Sequence, residues 1–166
     1  RTNQICNFEL PTVKHFLLLM TAMAYLLDTN IFNQLVDERI SFAELPNDAP
    51  LLATYLQMQE IENTKRPERR EVLLSKFQEV NPQTVPVETS LWGVTPYGQG
   101  KYGGDSDLFK SLLTELDSKN KSKKNNYADA LIAEVTIVNS YTLITADQDL
   151  ADLVEGRSGK LKRFAA

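Results

Sequence analysis

Residues 24–27, Ala-Tyr-Leu-Leu, form an apolar run without polar alternation, the pattern of a strand buried on both faces. The run stops abruptly at Asp28, Thr29 and Asn30. Asn30 suits the cap of a following helix that carries Ile31, Leu35 and Val36 on one side. A second candidate strand spans residues 51–56 and runs into a short helical piece through Glu60 and Asn63. Pro67 suits the first position of a longer helix, with Val72, Leu73, Phe77 and Val80 at helical spacing behind it. Residues 85–89 are β-branched in character but include Pro86, so their pairing is expected at the periphery of a sheet. Residues 108–116 read as an amphipathic helix. The best-patterned helix spans 127–139, capped by Asn126, with Ala128, Leu131, Ile132, Val135 and Val138 as its apolar face. Another buried strand follows at 141–145, and Asp147 then opens a helix bearing Leu150 and Leu153.

Strands alternating with helices predict a three-layer α/β/α fold with a mainly parallel central sheet. In such sheets ligands lie beyond the carboxyl ends of the strands, where Asp28 and Asp147 fall. Residues 46–50, Pro-Asn-Asp-Ala-Pro, are a turn. Residues 90–107 are rich in Gly, Pro and aromatics and have no period, and a loop of that length is commonly functional or mobile.

Residues 1–22 read as an N-terminal extension, expected to be poorly ordered, ahead of a single domain at 23–166. The extension has the outline of a signal peptide, but its apolar run at 16–20 is short and Glu9 interrupts the basic start. No stretch reaches the roughly 18–20 apolar residues that span a bilayer. The expected location is the cytoplasm, with no membrane association.

Composition narrows the chemistry. A single cysteine, Cys6, excludes an internal disulfide and a cysteine-rich zinc site, and a single histidine, His15, leaves little material for a Ser-His-Asp triad or a histidine metal cluster. Any chemistry must run on carboxylates. The net charge of −4 argues at first against a polyanionic partner. Four acids at the joints between apolar segments, Asp28, Glu60, Asp129 and Asp147, account for that whole excess, and without them the surface is balanced.

Each of the four has a bland reading. Asp129 would favour the dipole of its own helix, Asp147 would be an N-cap, and Glu60 would be a solvated helix residue with Glu62 as a rival. Asp28 is harder to dismiss, because a carboxylate behind a buried Leu-Leu pair needs a cap role or a cation partner. If the four converge, they cannot all stay ionised without compensation. Oxygen-only ligands suit Mg²⁺ or Mn²⁺, which bind substrate phosphates and polarise a phosphodiester.

Leu26-Leu27-Asp28-Thr29-Asn30, Gln57-Met58-Gln59-Glu60-Ile61, Asn126-Tyr127-Ala128-Asp129-Ala130-Leu131-Ile132-Ala133 and Leu143-Ile144-Thr145-Ala146-Asp147 resemble, in order and spacing, the successive motifs of PIN domains across residues 25–154. The resemblance implies a metal-dependent nuclease acting on RNA, often the toxin half of a bacterial toxin–antitoxin pair. On that footing Asp28, Glu60, Asp129 and Asp147 would form the acidic cluster around Mg²⁺ or Mn²⁺, with Thr145 and Asn30 supporting it by hydrogen bonds. Asp149 stands where some members carry an additional acid. The implied partners are an RNA substrate and an antitoxin protein, and a homodimer is open. The extension and the 90–107 loop depart from the family pattern, and the competing class is a catalytically silent RNA- or protein-binding module on the same scaffold.

Two other patterns are weaker. Gly98-Gln99-Gly100-Lys101-Tyr102-Gly103 fits G-x-G-x-x-G but follows Pro96 instead of a strand and opens no helix. Asp105-Ser106-Asp107 resembles the start of a calcium loop without its remaining ligands and reads better as a helix cap. Basic residues cluster at Lys65, Arg66, Arg69 and Arg70, and at Lys119, Lys121, Lys123 and Lys124 beside the Asp129 helix. Lys123 and Lys124 are candidates for backbone-phosphate contacts, and Trp92, Tyr97, Tyr102 and Tyr127 for stacking on unpaired bases.

Overall fold

The computed structural model describes residues 23–90, 95–101, 106–120, 123 and 125–165. The elements are β1 (Tyr25–Leu27), α1 (Thr29–Val36), a 3₁₀ turn at Phe42–Glu44, β2 (Leu51–Ala53), α2 (Tyr55–Glu62), α3 (Pro67–Val80), β3 (Gln83–Thr84), α4 (Asp107–Asn120), α5 (Asn126–Val138), β4 (Thr142–Thr145), α6 (Gln148–Gly156) and β5 (Lys160–Arg163). The strands lie in the order β3-β2-β1-β4-β5 and every neighbouring pair is parallel.

Successive side chains of a strand point to opposite faces, so three-residue strands buried on both sides feed two cores. Leu26, Leu52 and Leu143 enter one core with Leu112 and Leu116 of α4, Leu131 and Val135 of α5, and Leu150 and Leu153 of α6. Leu27, Ala53 and Ile144 enter the other with Ile31, Phe32 and Leu35 of α1, and Leu73, Phe77 and Val80 of α3. The sheet is therefore covered by helices on both faces, the three-layer α/β architecture that the apolar runs predict.

The chain builds outward from β1 to β2 and β3, then crosses to the other side of β1 for β4 and β5. The direction reverses between β1 and β4, and at such a switch point the connections leave a crevice beyond the carboxyl ends of the strands. Asp28 follows β1 and Asp147 follows β4, so they flank that crevice.

Several boundaries differ from the sequence expectations for definite reasons. β2 ends at Ala53, not at 56, because Thr54 and Gln57 form a capping box that starts α2: Thr54 Oγ1 accepts from the Leu56 N–H at 3.2 Å and Gln57 Oε1 accepts from the Thr54 N–H at 2.8 Å. Asp28, not Asn30, occupies the cap position of α1, and the Asn30 amide is turned to other partners. Asn125 takes the cap position of α5, while the Asn126 amide donates to Asp117 Oδ1 and Asn120 Oδ1, both at 2.7 Å. The basic connector is short because α4 runs on to Asn120. The edge strand lies at Gln83–Thr84 instead of 85–89, and Val87 makes an isolated bridge to Gly100.

β5 was not expected: Lys160-Leu161-Lys162-Arg163 has the look of a charged tail, yet it pairs with β4 along its length. Arg163 fastens it to α6 through Asp152 at 3.0 Å and Glu155 at 2.6 Å. Ser106 caps α4, its Oγ accepting from the Phe109 N–H at 3.0 Å, as the cap reading of Asp105-Ser106-Asp107 anticipates. Residues 1–22, Trp92, Tyr102 and Lys124 lie outside the described residues. Among the described residues no helix is long and apolar enough to cross a membrane.

Phe32 is fully buried and its ring lies 4.9 Å from that of Phe77, tying α1 to α3. Phe32→Ala is expected to lower unfolding free energy by about 3–5 kcal/mol in a denaturant titration. Val138→Ala, on a half-exposed site, should change it by less than about 0.5 kcal/mol.

Candidate functional site

Asp28 is 6% exposed at the point where β1 becomes α1, and its backbone N–H still belongs to the sheet, donating to the Ile144 carbonyl at 3.0 Å. Its carboxylate is held by side chains from two elements. Asn30 Nδ2 donates to Asp28 Oδ2 at 2.5 Å, and the buried Thr145 hydroxyl donates to the same oxygen at 2.6 Å. Asn30 Nδ2 also donates to Thr145 Oγ1 at 3.1 Å, while its Oδ1 accepts from the Ala146 N–H at 3.1 Å. Thr145 Oγ1 further accepts from the Asp147 N–H at 2.9 Å. The ends of β1 and β4 are thus laced together by Asn30 and Thr145 around one carboxylate oxygen.

Glu60 lies on α2 and accepts a hydrogen bond from the Thr29 hydroxyl. Asp147 is exposed at the head of α6, where Oδ1 accepts from the Leu150 N–H at 2.9 Å. Its capping role is real, and its second oxygen remains available for another partner. Asp129 lies in the first turn of α5. All four acids line one cavity of about 840 Å³, together with Thr29, Asn30, Asn33, Asn120, Lys123, Asn125 and Asp149.

The electrostatics reflect that gathering. Burial pushes the Asp28 carboxyl up to about 6, opposed by the Thr145 hydrogen bond and assisted by the charges of Glu60 and Asp147. Burial also raises Asp129, with Asp28, Asp147 and Glu60 adding repulsion and Lys123 relieving a little of it, to about 8. Asp28 feels Glu60 and Asp147, and Asp129 feels all three of the other acids. Lys123 Nζ lies 3.3 Å from Asp149 Oδ2 at the rim, and Asn120 Nδ2 reaches the same oxygen at 3.5 Å.

Other candidates fall elsewhere. The Tyr127 ring packs edge-on to Phe109 with centroids 5.2 Å apart, and its hydroxyl is buried, so it is withdrawn from any stacking role in the cavity. Tyr97 is almost wholly exposed and does not line the cavity. Arg69 is engaged by Asp37 and Asn33. Glu134, buried on α5, accepts from the Thr89 N–H at 3.2 Å, the Thr89 hydroxyl at 3.0 Å and the Ser106 hydroxyl, so it clasps both ends of the 90–107 loop. Nothing in the spacing of the sequence pairs Glu134 with residues so far away. Gln57 also escaped assignment, although Thr54-x-x-Gln57 carries the capping-box signature.

The donor set, four carboxylates without histidine or thiolate, suits a hard divalent cation, and the mutual repulsion at Asp28 and Asp129 is the charge imbalance such a cation would neutralise. Among the described residues no three of them stand in a geometry that would already hold an ion.

No family model matches the chain, and no curated protein matches it. Solved structures similar to it include VapBC-5 of Mycobacterium tuberculosis, described as a member of the VapBC family of toxin-antitoxin systems, at 18% identity over 86% of this chain and 98% of that one, with a TM-score of 0.48. VapBC2 of Rickettsia felis, bound to a DNA fragment from its promoter, is similar at 19% identity over 85% of this chain and 98% of that one, TM-score 0.49. A domain of a functionally unknown protein from Methanocaldococcus jannaschii is similar at 17% identity over 87% and 93%, TM-score 0.48.

The raised carboxyls make stability fall as pH rises. An unfolded aspartate titrates near about 4, whereas the folded protein keeps its proton on Asp129 up to about 8, so folding takes up protons across that window. In chelator, stability is therefore expected to be fully retained below about pH 4 as far as this group is concerned and to be lost progressively towards pH 8. Asp129→Asn should flatten that slope and be the more stable protein at pH 8 in denaturant titrations across the range; an unchanged slope would show that the Asp129 carboxyl is not raised in the folded protein.

Proposed function

We propose that this protein is a PIN-like, metal-dependent nuclease that hydrolyses phosphodiester bonds, in RNA above all. One observation carries the reading: four acids delivered by four different elements line a single cavity at the switch point of a parallel sheet, and Asp28 and Asp129 are disfavoured as anions first by burial and then by neighbouring carboxylates. Asp28, Glu60, Asp129 and Asp147 would hold Mg²⁺ or Mn²⁺, with Asp149 at the rim as a further oxygen ligand. When bound, such a cation supplies charge compensation and Lewis-acid polarisation of a phosphodiester.

The chain's own residues divide the remaining work. Asn30 and Thr145 fix one oxygen of Asp28. Asp147 is anchored through Oδ1 to the start of α6. Lys123, exposed at the mouth, can exchange its contact with Asp149 for a backbone phosphate, and Asn33, Asn120 and Asn125 offer amide donors to the same strand. The resemblance to PIN domains extends the proposal to a toxin with a small antitoxin partner; a short partner reading frame beside the gene would support that part.

The second reading is a binding module on the same scaffold that does not turn over. Incubation with single-stranded RNA and Mn²⁺ or Mg²⁺ separates the two. The nuclease is expected to cleave, to stop in chelator, and to lose at least about 100-fold in rate as Asp28→Asn or Asp129→Asn, with Asp129→Asn still folded but weaker in Mn²⁺ binding by calorimetry. Cleavage that persists in chelator or in both variants would place the activity elsewhere. A wild type that neither cleaves nor binds the ion is the binding module.

A further inference from the structure

Resting on that reading of the cavity, we infer that Gln57 is a positioning residue that sets the Glu60 carboxylate against Asp28. Gln57 is wholly buried, yet it lines no part of the cavity. Its side chain spans two elements: Nε2 donates to the Leu27 carbonyl at 2.9 Å, and Oε1 accepts from the Thr54 N–H at 2.8 Å and the Thr54 hydroxyl at 2.6 Å.

The place of the Leu27 contact matters. The β1–β2 ladder pairs Tyr25 with Leu51 and Leu26 with Leu52 and goes no further, because the chain leaves β2 to begin α2. The Gln57 amide takes over where the ladder stops, donating to the last carbonyl of β1, one residue before Asp28. Gln57 also lies three residues before Glu60 on α2, so the two share a face of the helix. One buried hydrogen bond thus joins the backbone that carries Asp28 to the helix that carries Glu60. A second contact, from the Thr29 hydroxyl to Glu60, closes the same circuit at the side chains. Loss of the Gln57 bond would free α2 to slide along the end of β1 and would leave the Leu27 carbonyl buried without a donor.

The competing explanation is that Gln57 only completes the capping box of α2. Two substitutions tell these apart. Thr54→Val damages the cap and keeps the Gln57–Leu27 bond; Gln57→Met keeps the volume and removes the bond. Gln57→Asn, one methylene too short to span both partners, serves if the methionine variant does not fold.

For each folded variant, Mn²⁺ binding is measured by calorimetry and a crystal structure is determined. The Gln57 variant is expected to bind Mn²⁺ roughly 10- to 100-fold more weakly, as is usual when the support of a ligand is removed, and to lose the Thr29–Glu60 hydrogen bond, while Thr54→Val is less stable but binds normally. Equal binding by wild type and the Gln57 variant overturns the inference, as does an equal loss in Thr54→Val. If the wild type itself neither binds Mn²⁺ nor cleaves RNA, the nuclease reading fails separately, and the crystal structures decide: Glu60 displaced from Thr29 in the Gln57 variant supports positioning, and Glu60 unmoved overturns it.

Discussion

Burial of the Asp28 carboxylate is the constraint on which the site depends. A carboxylate that is 6% exposed at the end of an apolar strand must be hydrogen-bonded, protonated or matched by a cation. The protein meets the first demand with Asn30 and Thr145, both bonded to Oδ2. The two donors come from opposite sides of the sheet reversal, so satisfying Asp28 also fixes the register of β1 against β4 at the point where their chains part. Among the described residues no buried lysine matches the remaining charge, which couples Asp28 to Glu60, Asp147 and Asp129.

The apolar layers make that arrangement rigid. β1 is central, flanked by β2 and β4, and its two fully buried leucines anchor opposite cores. A one-residue slip of β1 would move Leu26 and Leu27 to the wrong faces, so packing on both sides of the sheet holds Asp28 in position. Asp147 reaches the crevice by the same logic from β4, and Asp129 by the packing of α5 on the opposite layer. Glu60 comes from a helix that begins immediately after a short strand, which is why its placement depends on the capping box and on the Gln57 bond to Leu27.

The sequence makes much of this legible, and the unread parts share a cause. Asp28 and Asp147 stand out because uninterrupted apolar runs end at them, and the helices of α3 and α5 stand out because Leu73, Phe77, Leu131 and Val135 repeat at helical spacing. The support that Asn30 and Thr145 give is expected only because their motifs resemble those of PIN domains. Contacts made across long separations could not be anticipated. Glu134 reaches Thr89 and Ser106, Asn126 reaches Asp117, and Gln57 reaches Leu27, each through a geometry that only the folded chain creates. β5 was hidden for a different reason: an edge strand held by backbone pairing and surface ion pairs needs no apolar alternation.

The central claim is that the four acids form one electrostatic unit anchored at Asp28. Carboxyl carbon NMR titration of Asp129 in chelator, in wild type and in Asp28→Asn, tests it most directly. The account predicts that Asp129 titrates near about 8 in the wild type and at a clearly lower pH once the neighbouring charge is removed, although burial keeps it above the usual carboxylate range. An Asp129 that titrates at the same pH in both proteins would show that the two carboxylates do not share a site, and the account would be wrong.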